Sequence, residues 1–243
     1  MNQSFTYTGH ELEVMNNARN YHKWILSAFK SYLASHVVEV GAGVGSFSEL
    51  ILAHHTPQTF SLVEPSAHTY EELCVRIKQF QTDSKTVAYH GTFRDVVGKI
   101  CKAQSPDTVI YVNVLEHVED DIAELDAVHD ALTAGGHVLI FVPALPWLYG
   151  SFDKMVGHFR RYRKSELEHK LRKAGFKIVH SRYFDFAGVI PWWIKYRILQ
   201  ESTMEPGAVK FYDQFIVPSM RRVETLMPVL IGKNLIAVGK KRV

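Results

Sequence analysis

The chain has 243 residues, 47% hydrophobic and 22% charged, which are globular values; its length fits one α/β domain of roughly 200–250 residues. A formal net charge of +3 argues for no particular partner, so nothing here suggests nucleic acid. Cys74 and Cys101 lack metal or redox spacing, residues 1–13 lack an apolar signal core, and no run reaches the ~18 apolar residues of a transmembrane span. A reduced, cytoplasmic setting is expected.

Asn16–Leu33 reads as an opening helix with Trp24, Ile25 and Phe29 on one side. Val37–Gly41 is a first strand that runs into Gly41-Ala42-Gly43-Val44-Gly45-Ser46, and Phe47–Leu52 then reads as a helix. Alternating glycines let the backbone turn tightly and approach a ligand, because no Cβ intervenes. The amides opening the next helix can hold an anionic group. This pattern is that of a nucleotide-type cofactor site, against the alternative of a chance glycine cluster. A dinucleotide fingerprint needs glycine at its first, third and sixth positions. Here the sixth is Ser46 and the glycine falls at the fifth, Gly45.

Phe60–Glu64 is a second strand ending in an acid, followed by Pro65. Glu64 lies 23 residues after Gly41, room for one helix and one strand. A carboxylate at that tip can accept both hydroxyls of a ribose; the alternative is a solvated strand-end acid. Ala67–Phe80 is a helix, and Thr86–His90 and Asp107–Val112 are strands, the latter β-branched. Glu119–Leu132 is a helix, with Ile122, Leu125, Val128 and Leu132 at helical spacing and Gly135-Gly136 after its end. His137–Val142 is a strand closed by Pro143; Lys164–Ala174 is a helix stopped by Gly175; Phe176–Phe184 and Asn234–Lys240 are the last strands. The alternation predicts a parallel sheet covered on both faces. Residues 143–163 and 186–233 break the rhythm, and the second stretch is rich in aromatic and apolar residues.

The spelling Glu39-x-Gly41-x-Gly43-x-Gly45 resembles motif I of the class I S-adenosylmethionine-dependent methyltransferases. The resemblance covers residues 16–184 and the last strand. It implies a Rossmann-like α/β fold: seven strands in the order 3-2-1-4-5-7-6, strand 7 antiparallel, helices on both faces. It also implies a single methyltransferase domain over 1–243, with a helical, aromatic lid inserted at 186–233. The segment Asn113-Val114-Leu115-Glu116-His117-Val118 is similar to that of the small-molecule, ubiquinone-biosynthesis-like group. Phe152–Tyr162 looks like a bacterial subgroup marked by an Asp and then Gly-His-aromatic-Arg-Arg-Tyr. The implied cofactor is S-adenosyl-L-methionine. Glu39, Gly41, Ala42, Gly43 and Gly45 would hold its methionine part and Glu64 its ribose. Pro65, Thr92 and Phe93 would lie near the adenine, with Thr92 where many relatives carry Asp. Asn113 and Leu115 would sit beside the sulfonium. Tyr21 either caps the cofactor or packs in the core.

Methyl transfer from a sulfonium is an in-line substitution, so positioning can provide much of the rate. A base is needed only where the acceptor loses a proton. His117, after the fourth strand, is the preferred base, with a structural histidine as the alternative. His158 and Tyr162 are further candidates if they face the cavity. Some relatives bind a divalent metal through Glu-x-x-Glu-His and a later His. Here Asn113 replaces the first Glu while Glu116, His117 and His158 remain, so no metal is expected. Arg160, Arg161, Arg163 and Lys164 either grip an anionic end of the acceptor or form a solvated helix entrance. The aromatic insertion can enclose an apolar acceptor, touch a membrane surface or form a dimer interface.

These features point to an S-adenosylmethionine-dependent methyltransferase acting on an oxygen or nitrogen of a small, partly apolar metabolite. The alternatives are a non-catalytic member that binds cofactor or partner, and a dinucleotide-dependent oxidoreductase, which Ser46 argues against. Oligomeric state is open.

Overall fold

The computed structural model describes residues 18–227 and 229–242. Seven strands form one sheet: β1 His36–Val40, β2 Thr59–Glu64, β3 Lys85–His90, β4 Thr108–Val112, β5 His137–Pro143, β6 Phe176–Phe184 and β7 Asn234–Lys241. Their order is β3-β2-β1-β4-β5-β7-β6. The first five run parallel, and β7 is antiparallel to both its neighbours. This is the expected Rossmann-like sheet.

Strand alternation explains why both faces are covered. Val38, Val40, Tyr111, Val138 and Ile140 belong to one apolar core; Val37, Ile110, Leu139 and Phe141 belong to another. The second core takes its helical share from Trp24, Ile25 and Phe29 of α1, Arg19–Phe29. That helix is shorter than the expected Asn16–Leu33. It tightens into a 3₁₀ turn over Lys30–Tyr32, and Asn16 and Asn17 lie outside the described residues. Next come α2 Ser46–Leu52, α3 Ala67–Ile77, α4 Phe93–Ala103 and α5 Asp121–Ala131.

Helix α4 was not legible in the sequence. Its buried residues are only Phe93, Val96 and Ile100, with Gly98 between them. What starts it is a reciprocal cap: Thr92 accepts from the Asp95 amide, and Asp95 accepts from the Thr92 amide.

After β5 come a 3₁₀ turn, Pro146–Leu148, the short α6, Ser151–Met155, and α7, Lys164–Lys173. The stretch between β6 and β7 is helical, as expected. Here α8, Val189–Trp192, runs into a π-helical turn at Trp193–Ile198. Beyond it, α9, Pro206–Phe211, runs through a second π turn, Tyr212–Ile216, into α10, Val217–Leu226. Phe152, Tyr196 and Met204 form a small cluster that ties α6 to this insertion. Among the described residues, no helix is long and apolar enough to cross a membrane.

Candidate active site

A cavity of about 570 Å³ opens beyond the carboxyl ends of β1, β2, β4 and β5, within the ~300–1,000 Å³ common for small-molecule sites. β1 and β4 are neighbours whose chain connections run to opposite sides, the switch point where open α/β sheets bind ligands.

One half of the cavity is largely backbone. Gly41 and Gly43 sit at φ +68° and +56°, a left-handed conformation that disfavours side chains. A Cβ on Gly41 would collide with the Val114 side chain, whereas one on Gly43 would enter open space. Glu64 fixes this turn: its Oε2 accepts the Gly43 amide and its Oε1 the Ser66 amide, both at 2.9 Å. Each oxygen keeps a lone pair for a ligand. Glu39 accepts the Ser48 hydroxyl at 2.6 Å, and burial pushes its carboxyl up to about 8. Ala42, Pro65, Thr92, Phe93 and Asn113 also line this half. The Thr92 hydroxyl is engaged in the α4 cap, donating to Asp95 at 2.6 Å. Tyr21 lines the cavity, and it packs edge-on against Trp24, Phe141 and Phe184 with its hydroxyl donating to Asp185.

The other half is built from ionisable side chains under the insertions. Asp153 is fully buried and is the hub. It accepts the Gly150 amide at 2.9 Å, Arg161 Nε at 2.8 Å and His158 Nδ1 at 2.7 Å. The His158 bond and the Arg161 charge hold its carboxyl below the usual range, against the opposing effect of burial. An ionised carboxylate only accepts, so the proton of neutral His158 sits on Nδ1 and its Nε2 carries a lone pair. That Nε2 lies 3.8 Å from Glu116 Oε1. Burial pushes Glu116 up to about 8 and His158 down, so the two face each other as neutral groups and not as an ion pair. Among the described residues, neither Glu116 oxygen has a hydrogen-bond partner. The His117 ring stands edge-on to His158 at 4.6 Å. Burial, then the neighbouring His158, lower it to about 3, and the Gly157 backbone bonds to it. His117 is thus neutral at physiological pH and a weak base.

Three expected site residues lie off the cavity. Tyr162 is buried, its hydroxyl donating to Asp121 at 2.8 Å and to the Leu115 carbonyl at 3.2 Å. It braces the wall and does not face the acceptor space. Leu115 points into the core, while its neighbours Val114, Glu116 and His117 line the cavity. Gly45 stands at φ +84° against Leu73 and Phe80; it shapes the turn from behind. Within the basic run, Arg161 lines the cavity, and three of its cations face acids. Arg160 pairs with Asp121 at 2.9 Å, Arg161 with Asp153, and Lys164 approaches Glu168 at 4.0 Å.

The sequence did not single out Asp153, Met204 and Lys233 as site residues, and it offered Trp192 only as one of several aromatics of the insertion. Asp153 was visible as the acid of the Gly-His-aromatic-Arg-Arg-Tyr segment. The other three carry no local pattern and reach the cavity only through folding of the insertion. Among the described residues, Glu116, His117 and His158 form a group able to hold a metal ion, their ligand atoms lying within 4.8 Å of one another.

A methyltransferase-domain family model matches residues 7–181. The chain belongs to this family. No curated protein matches it. Among solved structures, it is similar to a chain from a complex between the Haloferax volcanii Trm112 methyltransferase activator and a methyltransferase. That match has 14% identity and a TM-score of 0.63, covering 97% of this chain and 95% of the other. A SAM-dependent methyltransferase from Archaeoglobus fulgidus matches at 17% identity and TM-score 0.56, with 92% and 94% covered. The cyclopropane synthase MmaA2 of Mycobacterium tuberculosis matches at 14% and 0.57, with 89% and 81% covered. At these identities the likeness is one of fold.

The cofactor of this methyltransferase is S-adenosylmethionine. The backbone half of the cavity fits it: a bare glycine turn, a strand-end carboxylate with free lone pairs and the buried Phe93 ring are the groups a sulfonium amino acid joined to a nucleoside needs.

Proposed function

We propose that this methyltransferase transfers a methyl group to an oxygen or nitrogen of a small, partly apolar metabolite, with His158 accepting the acceptor's proton. The observation that carries this reading is the His158–Asp153 pair, which shares one cavity with the glycine turn. Asp153 orients the ring and stabilises the imidazolium that forms, the role an acid plays behind a catalytic histidine. His158 takes the place first assigned to His117, whose lowered pKa suits a neutral wall.

S-adenosylmethionine supplies a methyl already activated for substitution. The chain's task is then placement. Gly41, Ala42 and Gly43 receive the methionine part, with Glu39 behind them. Glu64 accepts the ribose hydroxyls, and Pro65, Thr92 and Phe93 flank the adenine. Asn113 stands at the reacting end and Tyr21 closes the side. The acceptor's heteroatom approaches from the insertion side. As the heteroatom takes the methyl, the sulfonium carbon–sulfur bond would break and leave a neutral thioether, and the heteroatom's proton would pass to His158 Nε2 and then to solvent. Phe152, Val156, Phe159, Trp192 and Met204 line that side. They act as a lid that excludes water and favours an apolar body, while the Lys233 ammonium is held on the same side by Asp185 at 3.0 Å. With Asn113 in place of a carboxylate, transfer needs no tightly held metal.

The test incubates the full chain with methyl-labelled cofactor and a panel of hydroxylated and amino amphiphiles. Label on oxygen or nitrogen of one acceptor, undiminished by chelator and lost in Gly43→Val, is the expected outcome. Label on carbon overturns the acceptor chemistry. Loss on chelation, restored by magnesium or zinc, makes Glu116, His117 and His158 ligands instead. Cofactor binding with no transfer to any acceptor would mark a non-catalytic member.

A further inference from the structure

We propose that the outer face of the insertion between β6 and β7 docks on an anionic lipid bilayer. Over Val189–Ile198 the outward positions are Ile190, Trp193, Ile194, Arg197 and Ile198, all exposed. Their spacing sets one helical face to the outside. On the following helix Phe211 and Phe215 are 57% and 62% exposed, with ring centroids 5.1 Å apart. A soluble surface rarely gathers rings and long aliphatic side chains in this way without a use for them. The inner sides of both helices are accounted for, since Tyr196, Met204 and Val209 pack with Phe152. The exposed faces are therefore the outside of the insertion.

Cations outnumber acids on the exposed side of the insertion. Of its acids, Asp213 and Glu224 turn inward, while Glu201 and Glu205 are exposed. Asp213 accepts the amides of Asn20 and Tyr21, and Glu224 accepts those of Asp185 and Phe186. Glu201 pairs with Lys195 at 3.2 Å. The cations turn outward: Arg197, Lys210, Arg221 and Arg222 are exposed and have no ion pair among the described residues. Apolar residues interleaved with unpaired Lys and Arg are the pattern of a helix lying in a bilayer interface, where phosphates meet acyl chains. A second copy of this chain would set these cations against themselves. An open groove beside α10 puts Arg221 and Arg222 next to Val217 and Leu226, a match for a headgroup phosphate beside a hydrocarbon chain. Docking stands apart from the transfer reaction. Its consequence, that the acceptor enters from the membrane past Trp192 and Met204, rests on the function proposed above.

The experiment sediments the full chain with vesicles of mixed phosphatidylglycerol and phosphatidylcholine, and with phosphatidylcholine alone. Cofactor affinity is measured in parallel. We expect at least roughly tenfold stronger partitioning to the anionic vesicles, weakened by salt. A Trp193→Glu, Phe215→Glu double variant should lose it, and Arg221→Ser with Arg222→Ser should weaken it by about fivefold per cation. All variants should bind S-adenosylmethionine like the wild type, which shows them folded. Equal binding to both vesicle types, or none to either, overturns the proposal. So does a concentration-dependent dimer that the double variant abolishes, which would place a second copy on this face. Failure of the wild type to bind cofactor would sink the transferase reading and leave the vesicle result standing.

Discussion

The two halves of the cavity are held by different forces. On the cofactor side, the positions are set by backbone: Gly41 and Gly43 in left-handed conformation, and two amides fixed on Glu64. On the acceptor side, the positions are set by a buried polar network centred on Asp153 and reaching His158, Arg161 and the Gly150 amide. A backbone site tolerates losing a side chain that does not anchor the turn, because the glycine conformations survive. A buried network does not, because each member left behind is an unpaired polar group in a low dielectric.

Asp153→Ala puts the sharpest strain on this contrast. It leaves the buried Arg161 guanidinium without its counter-charge, which costs about 3–5 kcal/mol when one partner of a buried pair is removed. Denaturant unfolding should show that loss. A loss under ~1 kcal/mol, the scale of an exposed pair, would mean that water reaches the pair and the acceptor half is not a dry network.

His158→Ala removes a functional atom and spares the hub. Turnover at saturating cofactor should fall at least about a hundredfold, the lower end for a lost general base, with cofactor affinity unchanged. His117→Ala should cost far less. The reverse order would return the proton-accepting role to His117. On the other side, Glu64→Ala should weaken cofactor binding by about 1.5–3 kcal/mol, the scale of a charged acceptor, by calorimetry on the folded variant. An unchanged dissociation constant would remove Glu64 from the ribose.

The same contrast explains what the sequence revealed. The glycine turn, Glu39 and Glu64 are local: strand, turn and acid follow in the chain at fixed spacing, and backbone geometry dictates which residues serve. The sheet was legible because its strands are short apolar runs bounded by turns. Helix α4 was hidden because a side-chain cap starts it and only three buried residues hold it. Met204 and Lys233 were hidden, and Trp192 was visible only as one aromatic among many, because nothing local marks which residue of an insertion turns inward. Tyr162 sat in the right motif, yet its hydroxyl found Asp121, a partner 41 residues away. His117 and His158 were both visible; the choice between them needed the Asp153 contact and the depth of burial.

The smallest expected effect is a pH dependence that separates the halves. Burial raises one carboxyl in each, Glu39 and Glu116, to about 8 from the ordinary 4.5. From pH 4.5 to 8 each binds a proton in the folded chain that the unfolded chain has released, so stability falls as pH rises. His22 and His117 are lowered to about 4 and 3 from 6.5. For them the unfolded chain holds the extra proton up to pH 6.5, so stability rises with pH and opposes the carboxyls. Above 6.5 the histidines drop out. Among these four groups, only the two carboxyls act up to pH 8, each worth at most about 1.4 kcal/mol per pH unit. The melting temperature should therefore fall between pH 6.5 and 8. Glu116→Gln should flatten that fall by removing the acceptor-side share and leaving the share of Glu39. If Glu116→Gln leaves the slope untouched, Glu116 is already ionised at neutral pH. A buried carboxylate ionised there needs a counter-charge beside it, and a cation held with His117 and His158 would then be the one to seek by metal analysis.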